Sequence, residues 1–335
     1  MSAQLFRNLK VLEVTDDYFI GAKGYSIVKY TFASKKYERI GKVANKKYSL
    51  LSCFSLTRRF FRAEINNIYN LHNGDSLLIA KKAIFRCEAG EKVFKKCFVI
   101  PRGSRPLNLC ITPNGEVYFG EYFANMSKDA VNVYCSKDGG KSWNVVFTFA
   151  EGNINHIHGI FYDDYTARIW AVTGDRENEC IIGYTEDGFA SFVEVFRGGQ
   201  DYRTCNLFFY PTFIVFATDS QYMVNEVKMF DRDTLSVKSL QTIQGTAIKG
   251  GQCGDFSYLS TTVEPSEVNK DTYSHLWISD DGLHWREIYK AKKDFWPAIM
   301  QFGSIEFPRH TTDKYIMFSG RALKKIDGSS LRVEL

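Results

Sequence analysis

One short turn recurs along this chain at nearly even intervals, and that spacing restricts the fold more than any other feature. Ser136, Lys137, Asp138, Gly139, Gly140, Lys141, Ser142 and Trp143 form the fullest copy. Ser279, Asp280, Asp281, Gly282, Leu283, His284 and Trp285 repeat it one residue shorter. Thr185, Glu186, Asp187, Gly188, Phe189, Ala190, Ser191 and Phe192 repeat it loosely. Asp138 and Asp187 lie 49 positions apart, and Asp187 and Asp281 lie 94 apart, two steps of 47. The missing copy falls at residues 230–233, ahead of residues 236–240. Stepping back by the same interval reaches 87–90 and then 34–37, and stepping forward reaches 326–329. These are seven turns at a step near 48, and 335 residues hold seven such units.

Between the turns lie short runs rich in Val, Ile, Phe, Tyr and Thr, as at 116–120, 130–135, 168–173 and 213–217. Such runs, bounded by Gly, Asp, Asn and Lys, read as strands, and helical periodicity is hard to find. A repeat of about 40–50 residues with four short strands has the length of a β-propeller blade. The expected fold is therefore all-β: a seven-bladed β-propeller of four antiparallel strands per blade, with six blades as the alternative. Residues 1–335 form one domain on this reading, and the recurring turns join the third and fourth strands of each blade.

Composition narrows the function classes. Hydrophobic residues make up 44% and aromatics 15%, enough for a sizeable core. The net charge of +5 is mild and no run of five Lys or Arg occurs, so no nucleic-acid partner is expected. The longest apolar stretch, 207–217, is broken by Pro211 and Thr212. It falls short of the roughly 20 residues that span a bilayer, so no membrane partner is expected. Residues 1–10 lack the apolar segment of a signal peptide. None of the eight Cys forms a CxxC pair, and several sit in strand-like runs as small hydrophobes, which suggests a reducing, cytoplasmic setting. Gly140, Lys141 and Ser142 imitate the end of a phosphate-binding loop, but Cys135 stands where its first Gly belongs.

The pattern of Ser136, Asp138, Gly140, Ser142 and Trp143 resembles the Asp-box of sialidases and related BNR-repeat propellers, written S/T-x-D-x-G-x-T-W. The segment from Gly120 through His156, His158, Gly174 and Asp175 to Ser220 is similar to BNR-type glycosidase-like proteins of bacteria and archaea, over about the middle third of the chain. The resemblance implies a sialidase-like β-propeller and a carbohydrate-active function. Its Asp-box residues are structural: the Asp accepts backbone N–H bonds, the Gly turns left-handed and the Trp packs beneath. Sialidases also carry an early Arg-Ile-Pro motif, three clamping arginines and a Tyr nucleophile paired with Glu. Here Ile100, Pro101 and Arg102, and then Arg105 and Pro106, only scramble that motif, and neither clamp nor Tyr–Glu pair can be assigned.

The repeat lets the axial positions be read in register. Loops after the second strand supply Glu121, Asp175 with Arg176, Asp219 and Arg321. Lead-ins to the innermost strand supply Arg102 and Arg105, His156 and His158, Gln200, Tyr202 and Arg203, and Gln252. Polar groups at matched positions describe a funnel. Glu121 and Asp175 are candidate acid/base carboxylates. His156 and His158, two apart on a strand, share one side as base or orienting donors. Arg102, Arg105, Arg176 and Arg203, with Gln200, Tyr202, Asp219 and Gln252, are candidates to hold an anionic substrate. Each group also has an ordinary reading as inter-blade packing or loop ion pairs. No metal is expected, because no third ligand has firm spacing from the His pair, and no cofactor; a metal-dependent site at that pair is the weakest alternative. The leading expectation is an enzyme acting on an acidic sugar or glycan, with hydrolysis favoured. The alternatives are a non-catalytic glycan- or protein-binding propeller and a polysaccharide lyase with a His base and an Arg clamp. The oligomeric state stays open.

Overall fold

The computed structural model describes residues 3–312 and 314–335. Hydrogen bonding sorts the strands into three four-stranded antiparallel sheets, at 110–149, 156–197 and 204–243, and two eight-stranded ones. Each eight-stranded sheet is two four-stranded meanders joined locally. Residues 10–43 and 65–99 meet where Lys42 and Val43 run parallel to Val93 and Phe94. Residues 246–292 meet the C-terminal strands where Thr262 and Val263 pair with Ser304 and Gly303.

The sheets are apolar on both faces and bury both against their neighbours, as Ile169 and Ala171 do on one side and Trp170 and Val172 on the other. Ile68 and Leu78 pack on Leu12 and Ile27. Tyr69 and Ile79 pack on Val117 and Phe119. Val131 and Val133 meet Ile160 and Ile169, and Trp170 and Ile182 meet Leu207 and Phe216. Phe208 and Val215 meet Leu259 and Trp285, and Tyr258 and Ile278 meet Ile305 and Phe318. Phe6, Phe19 and Tyr30 then pack on Tyr315 and Met317, which closes the circuit. Chain pairing closes it as well. The N-terminal strand Ala3–Phe6 lies antiparallel on the C-terminal strand Ser330–Glu334, so the last sheet takes its outer strand from the start of the chain. Closure of this kind leaves few unpaired strand edges.

The first strands of successive sheets line the middle. Asn108 donates to the Ile160 carbonyl at 2.7 Å, the Leu109 N–H donates to the Tyr69 hydroxyl at 3.0 Å, and the Arg309 N–H reaches the Leu12 carbonyl at 3.0 Å. A one-residue bulge recurs early in these strands, between Val11 and Glu13, Ile65 and Asn67, Ile157 and Gly159, Thr204 and Leu207, and Thr246 and Lys249. Bulges re-aim side chains, and here they do so at one level of the axis.

The recurring turns have one hydrogen-bond pattern. Asp138 accepts from the Ser136 hydroxyl at 2.8 Å, the Ser142 N–H at 2.9 Å and the Ser142 hydroxyl at 2.6 Å. Asp187 repeats this with Thr185 and Ser191, and Asp281 with Ser279 and the N–H groups of Leu283 and His284. Partial desolvation acts against ionisation of Asp138, yet the Ser142 and Ser136 donors hold its carboxyl at about 2. Gly140, Gly188 and Gly282 sit at φ +85°, +67° and +77°, where only glycine is unstrained. The turns near 34, 87, 138, 187, 231 and 281 join third to fourth strands as expected. The copy at 326–329 does not: it joins Tyr315–Arg321 to Ser330–Glu334, the second and third strands of its sheet. The third-to-fourth junction of that sheet lies between the two chain ends, so no turn can occupy it.

An insertion between the first two meanders forms helices at Lys46–Leu51 and Ser55–Phe61. The apolar side chains Leu50, Phe54 and Phe60 on this segment are exposed. Among the described residues no helix is long and apolar enough to cross a membrane.

Candidate functional site in the axial channel

Two polar clusters meet where the bulges turn side chains inward. The first is built on the strand His156–Asp163 and the loop after Arg168–Gly174. The bulge between Ile157 and Gly159 leaves His158 as the extra residue and brings its ring beside that of His156, and both are nearly inaccessible, at 6% and 1% exposure. His156 Nδ1 lies 2.9 Å from the Phe123 carbonyl and His158 Nδ1 lies 2.9 Å from the Thr204 carbonyl. A carbonyl only accepts, so each Nδ1 carries the proton in the neutral ring. The two Nε2 atoms face each other at 3.1 Å, and Asp175 Oδ1 lies 3.1 Å from one and 3.4 Å from the other. Asn155 donates to Asp175 Oδ2 at 2.9 Å, and Arg203 Nη2 reaches Oδ1 at 2.9 Å. Burial pushes the Asp175 carboxyl up, but the hydrogen bonds to His156 and His158 outweigh it and hold the group well below the usual carboxylate range. Gly174 is required by this packing, since a Cβ there would stand 2.4 Å from His158 Cε1.

Behind Arg203 lies Asp219, whose Oδ2 is 3.9 Å from Arg203 Nε and accepts from the Cys205 thiol at 3.3 Å. Burial raises the Asp219 carboxyl, against the opposing pull of Arg203 and His158. Burial and then Asp219 raise the Cys205 thiol well above its ordinary value. Tyr122 covers the imidazoles, with its ring 4.3 Å from that of His156.

The second cluster is an excess of cations. Lys10, Arg105, Lys249 and Arg321 surround Glu64 and Glu306, four positive groups to two negative. Arg321 bridges Glu64 at 2.8 Å and Glu306 at 3.1 Å, and Lys10 lies 3.6 Å from Glu306. Arg105 donates to Asn66. Burial, only partly offset by Glu306, pulls both Lys10 and Lys249 down to about 8. Burial also raises Glu306, but Arg321, Lys249, Lys10 and Arg105 together bring it well below its ordinary value. A cavity of about 660 Å³ runs from this cluster, lined there by Arg105, His158, Lys249 and Glu306. It extends toward the turns between first and second strands, where His72 and Tyr165 line it.

The structure gathers some of the predicted residues and disperses others. His156, His158, Asp175, Arg203 and Asp219 belong to one cluster, and Arg105 to the adjoining one. Gln200 braces the first, donating to the Asp175 carbonyl at 2.9 Å and accepting from the Ser220 hydroxyl at 2.8 Å. Glu121 is enclosed elsewhere: Arg102 grips both of its oxygens, and the Asn132 N–H donates to it at 2.9 Å. Arg176 is exposed, and Tyr202 stacks on Phe196 at 4.8 Å. Gln252 is not a lead-in residue. It sits at the far end of the strand Thr246–Cys253 and clasps the Phe209 N–H and carbonyl at 2.7 and 2.8 Å. Lys249 occupies the level expected of it. Lys10, Glu64, Lys249 and Glu306 escaped the sequence reading. Their signal was a charge in or beside a first strand: Lys10 opens one, Glu64 precedes another, Lys249 lies within a third and Glu306 ends a fourth.

No protein-family model matches the chain, and no curated protein sequence matches it. Solved structures do resemble it. A structure described as YCF48 bound to D1 peptide aligns at 11% identity over 100% of this chain and 96% of its own, with a TM-score of 0.58. A chain of the mitotic checkpoint complex aligns at 6% identity over 100% and 91%, with a TM-score of 0.60. The GH74 enzyme of Niastella koreensis aligns at 12% identity over 86% of this chain and 46% of its own, with a TM-score of 0.52. At these identities the likeness is one of fold alone. The chain has the β-propeller fold.

Proposed function

We propose that this propeller has seven blades, is of the sialidase-like Asp-box kind, and takes an acidic sugar or glycan into its axial channel. The four-to-two excess of cations at the end of the cavity carries this reading. Half-buried ammonium and guanidinium groups that outnumber the carboxylates are costly, and an anionic ligand supplies the missing charge. Lys249 lines the cavity and is the first contact for a ligand carboxylate, with Arg105 beside it. A peptide carboxylate would meet the same cations, and the YCF48 structure, described as bound to a peptide, shares this fold.

Turnover is the second reading, favoured by the imidazole cluster adjoining the cations. Glu121 is neutralised by Arg102, and Asp175 is held as a carboxylate, so neither is poised to donate a proton to a leaving group. Proton handling then falls to groups around His158. The test is a panel of sialylated and uronate-containing oligosaccharides, their neutral counterparts and an acidic peptide, followed by calorimetry and by mass spectrometry of products. Retention of the acidic sugars over the neutral ones is expected. A product heavier by one water marks hydrolysis, and an unsaturated product without added water marks elimination. Equal affinity for charged and neutral sugars, or preference for the peptide, overturns the carbohydrate reading.

A further inference from the structure

The imidazole cluster poses a proton-counting problem. Each Nδ1 is committed to a carbonyl, so in the neutral rings both Nε2 atoms present lone pairs. The Asn155 amide also approaches His156 Nδ1, but at 3.3 Å, and it already donates to Asp175 at 2.9 Å. Two Nε2 lone pairs and a carboxylate oxygen therefore converge on one point, with edges of 3.1, 3.1 and 3.4 Å. Three acceptors at that spacing repel unless a positive charge lies among them, either a proton on one Nε2 that is shared with Asp175 or a metal ion.

We propose that His156, His158 and Asp175 form a binding site for one divalent transition-metal ion of the zinc type. Ligands about 2.0–2.1 Å from a tetrahedral ion stand about 3.3–3.4 Å apart, close to the observed edges. The surrounding bonds fit the same purpose. Both rings donate their second nitrogen to a backbone carbonyl, which fixes tautomer and orientation, and Asn155 fixes the free oxygen of Asp175. The donor set, two imidazoles and one carboxylate, suits zinc, iron or manganese rather than calcium. The local charge permits it: Asp175 and Asp219 outnumber Arg203, the only guanidinium bonded to Asp175 among the described residues. His158 lines the cavity and Asp175 is 30% exposed at its side chain, so the site is open to a further ligand such as water. An ion there acts as a Lewis acid or holds a water beside the cationic end of the cavity. The site does not depend on the ligand being a sugar.

The test uses the full-length protein stripped with a chelator, with zinc and cobalt salts as the probes. Calorimetry should give one ion per chain, and cobalt should produce visible absorption typical of a four- or five-coordinate site. His156→Gln and Asp175→Asn should each weaken binding by about 100-fold or more, and Asn155→Ala by about 10-fold. Circular dichroism separates loss of a ligand from loss of the fold, and the Asn155 variant preserves a readout if the others misfold. Failure of the folded wild-type chain to take up zinc, cobalt or manganese overturns the proposal. So does unchanged binding in His156→Gln and Asp175→Asn.

Discussion

Replacing Lys249 by methionine should stabilise the free protein while it disables the channel. Lys249 donates to no group among the described residues, and its pKa stands at about 8 against an ordinary 10.5. At about 1.4 kcal/mol for each pH unit, holding the ammonium protonated costs about 3 kcal/mol, and water in the cavity trims this to about 2 kcal/mol. Methionine keeps the length of the side chain and removes the charge. The sign follows from proton linkage. Below pH 8 the folded and unfolded chains both carry the proton, and the penalty is complete. Between pH 8 and 10.5 the unfolded chain binds the proton and the folded chain does not, so wild-type stability climbs with pH. The advantage of Lys249→Met should thus be largest near pH 7 and gone above pH 10.5. Urea unfolding at both pH values measures it, and calorimetry with a uronate oligosaccharide should show at least a tenfold loss of affinity. A variant less stable than wild type at pH 7, or an advantage that persists at high pH, refutes the reasoning.

Other outcomes follow from the same geometry. Affinity of the wild-type channel for an anion should fall as pH rises through about 8, where Lys10 and Lys249 lose their protons, and a pH series of binding isotherms checks this. Arg102→Met should destabilise by about 3 kcal/mol by stranding a buried carboxylate, and adding Glu121→Gln should recover most of that loss in urea melts if the pair is structural. Gly174→Ala should cost about 1–3 kcal/mol and displace His158, visible as weaker cobalt binding out of proportion to the loss of stability. Asp138→Asn should lower stability by about 1 kcal/mol at pH 7 and leave it unchanged near pH 2. The folded pKa is the lower one there, so its contribution is present above pH 4 and lost as the pH falls through 2.

The sequence by itself determined the strand-and-turn grammar. A Ser or Thr, an Asp and a Gly at fixed offsets make the same turn wherever they occur, because all the bonds involved are local. Alternation predicts His156 and His158 on one side, and the bulge at His158 is what brings their rings together. Their meeting with Asp175 was legible only because the repeat placed them at matching levels. Three things were decided by tertiary structure. The last sheet borrows Ala3–Phe6, which moved the turn near 327 out of register, because chain closure joins residues more than 320 positions apart. Bulges displaced five of the first strands by one residue, and Lys249, at the bulge of Thr246–Cys253, joins the cation cluster, whereas Gln252 lies at the far end of that strand. Charge balance came last. Glu121 reads as a catalytic carboxylate until Arg102 is seen to hold it, and Lys10, Glu64, Lys249 and Glu306 read as stray charges until the ring closes around them. Protonation and ligand preference depend on the sum of such neighbours, and that sum exists only once the chain has closed on itself.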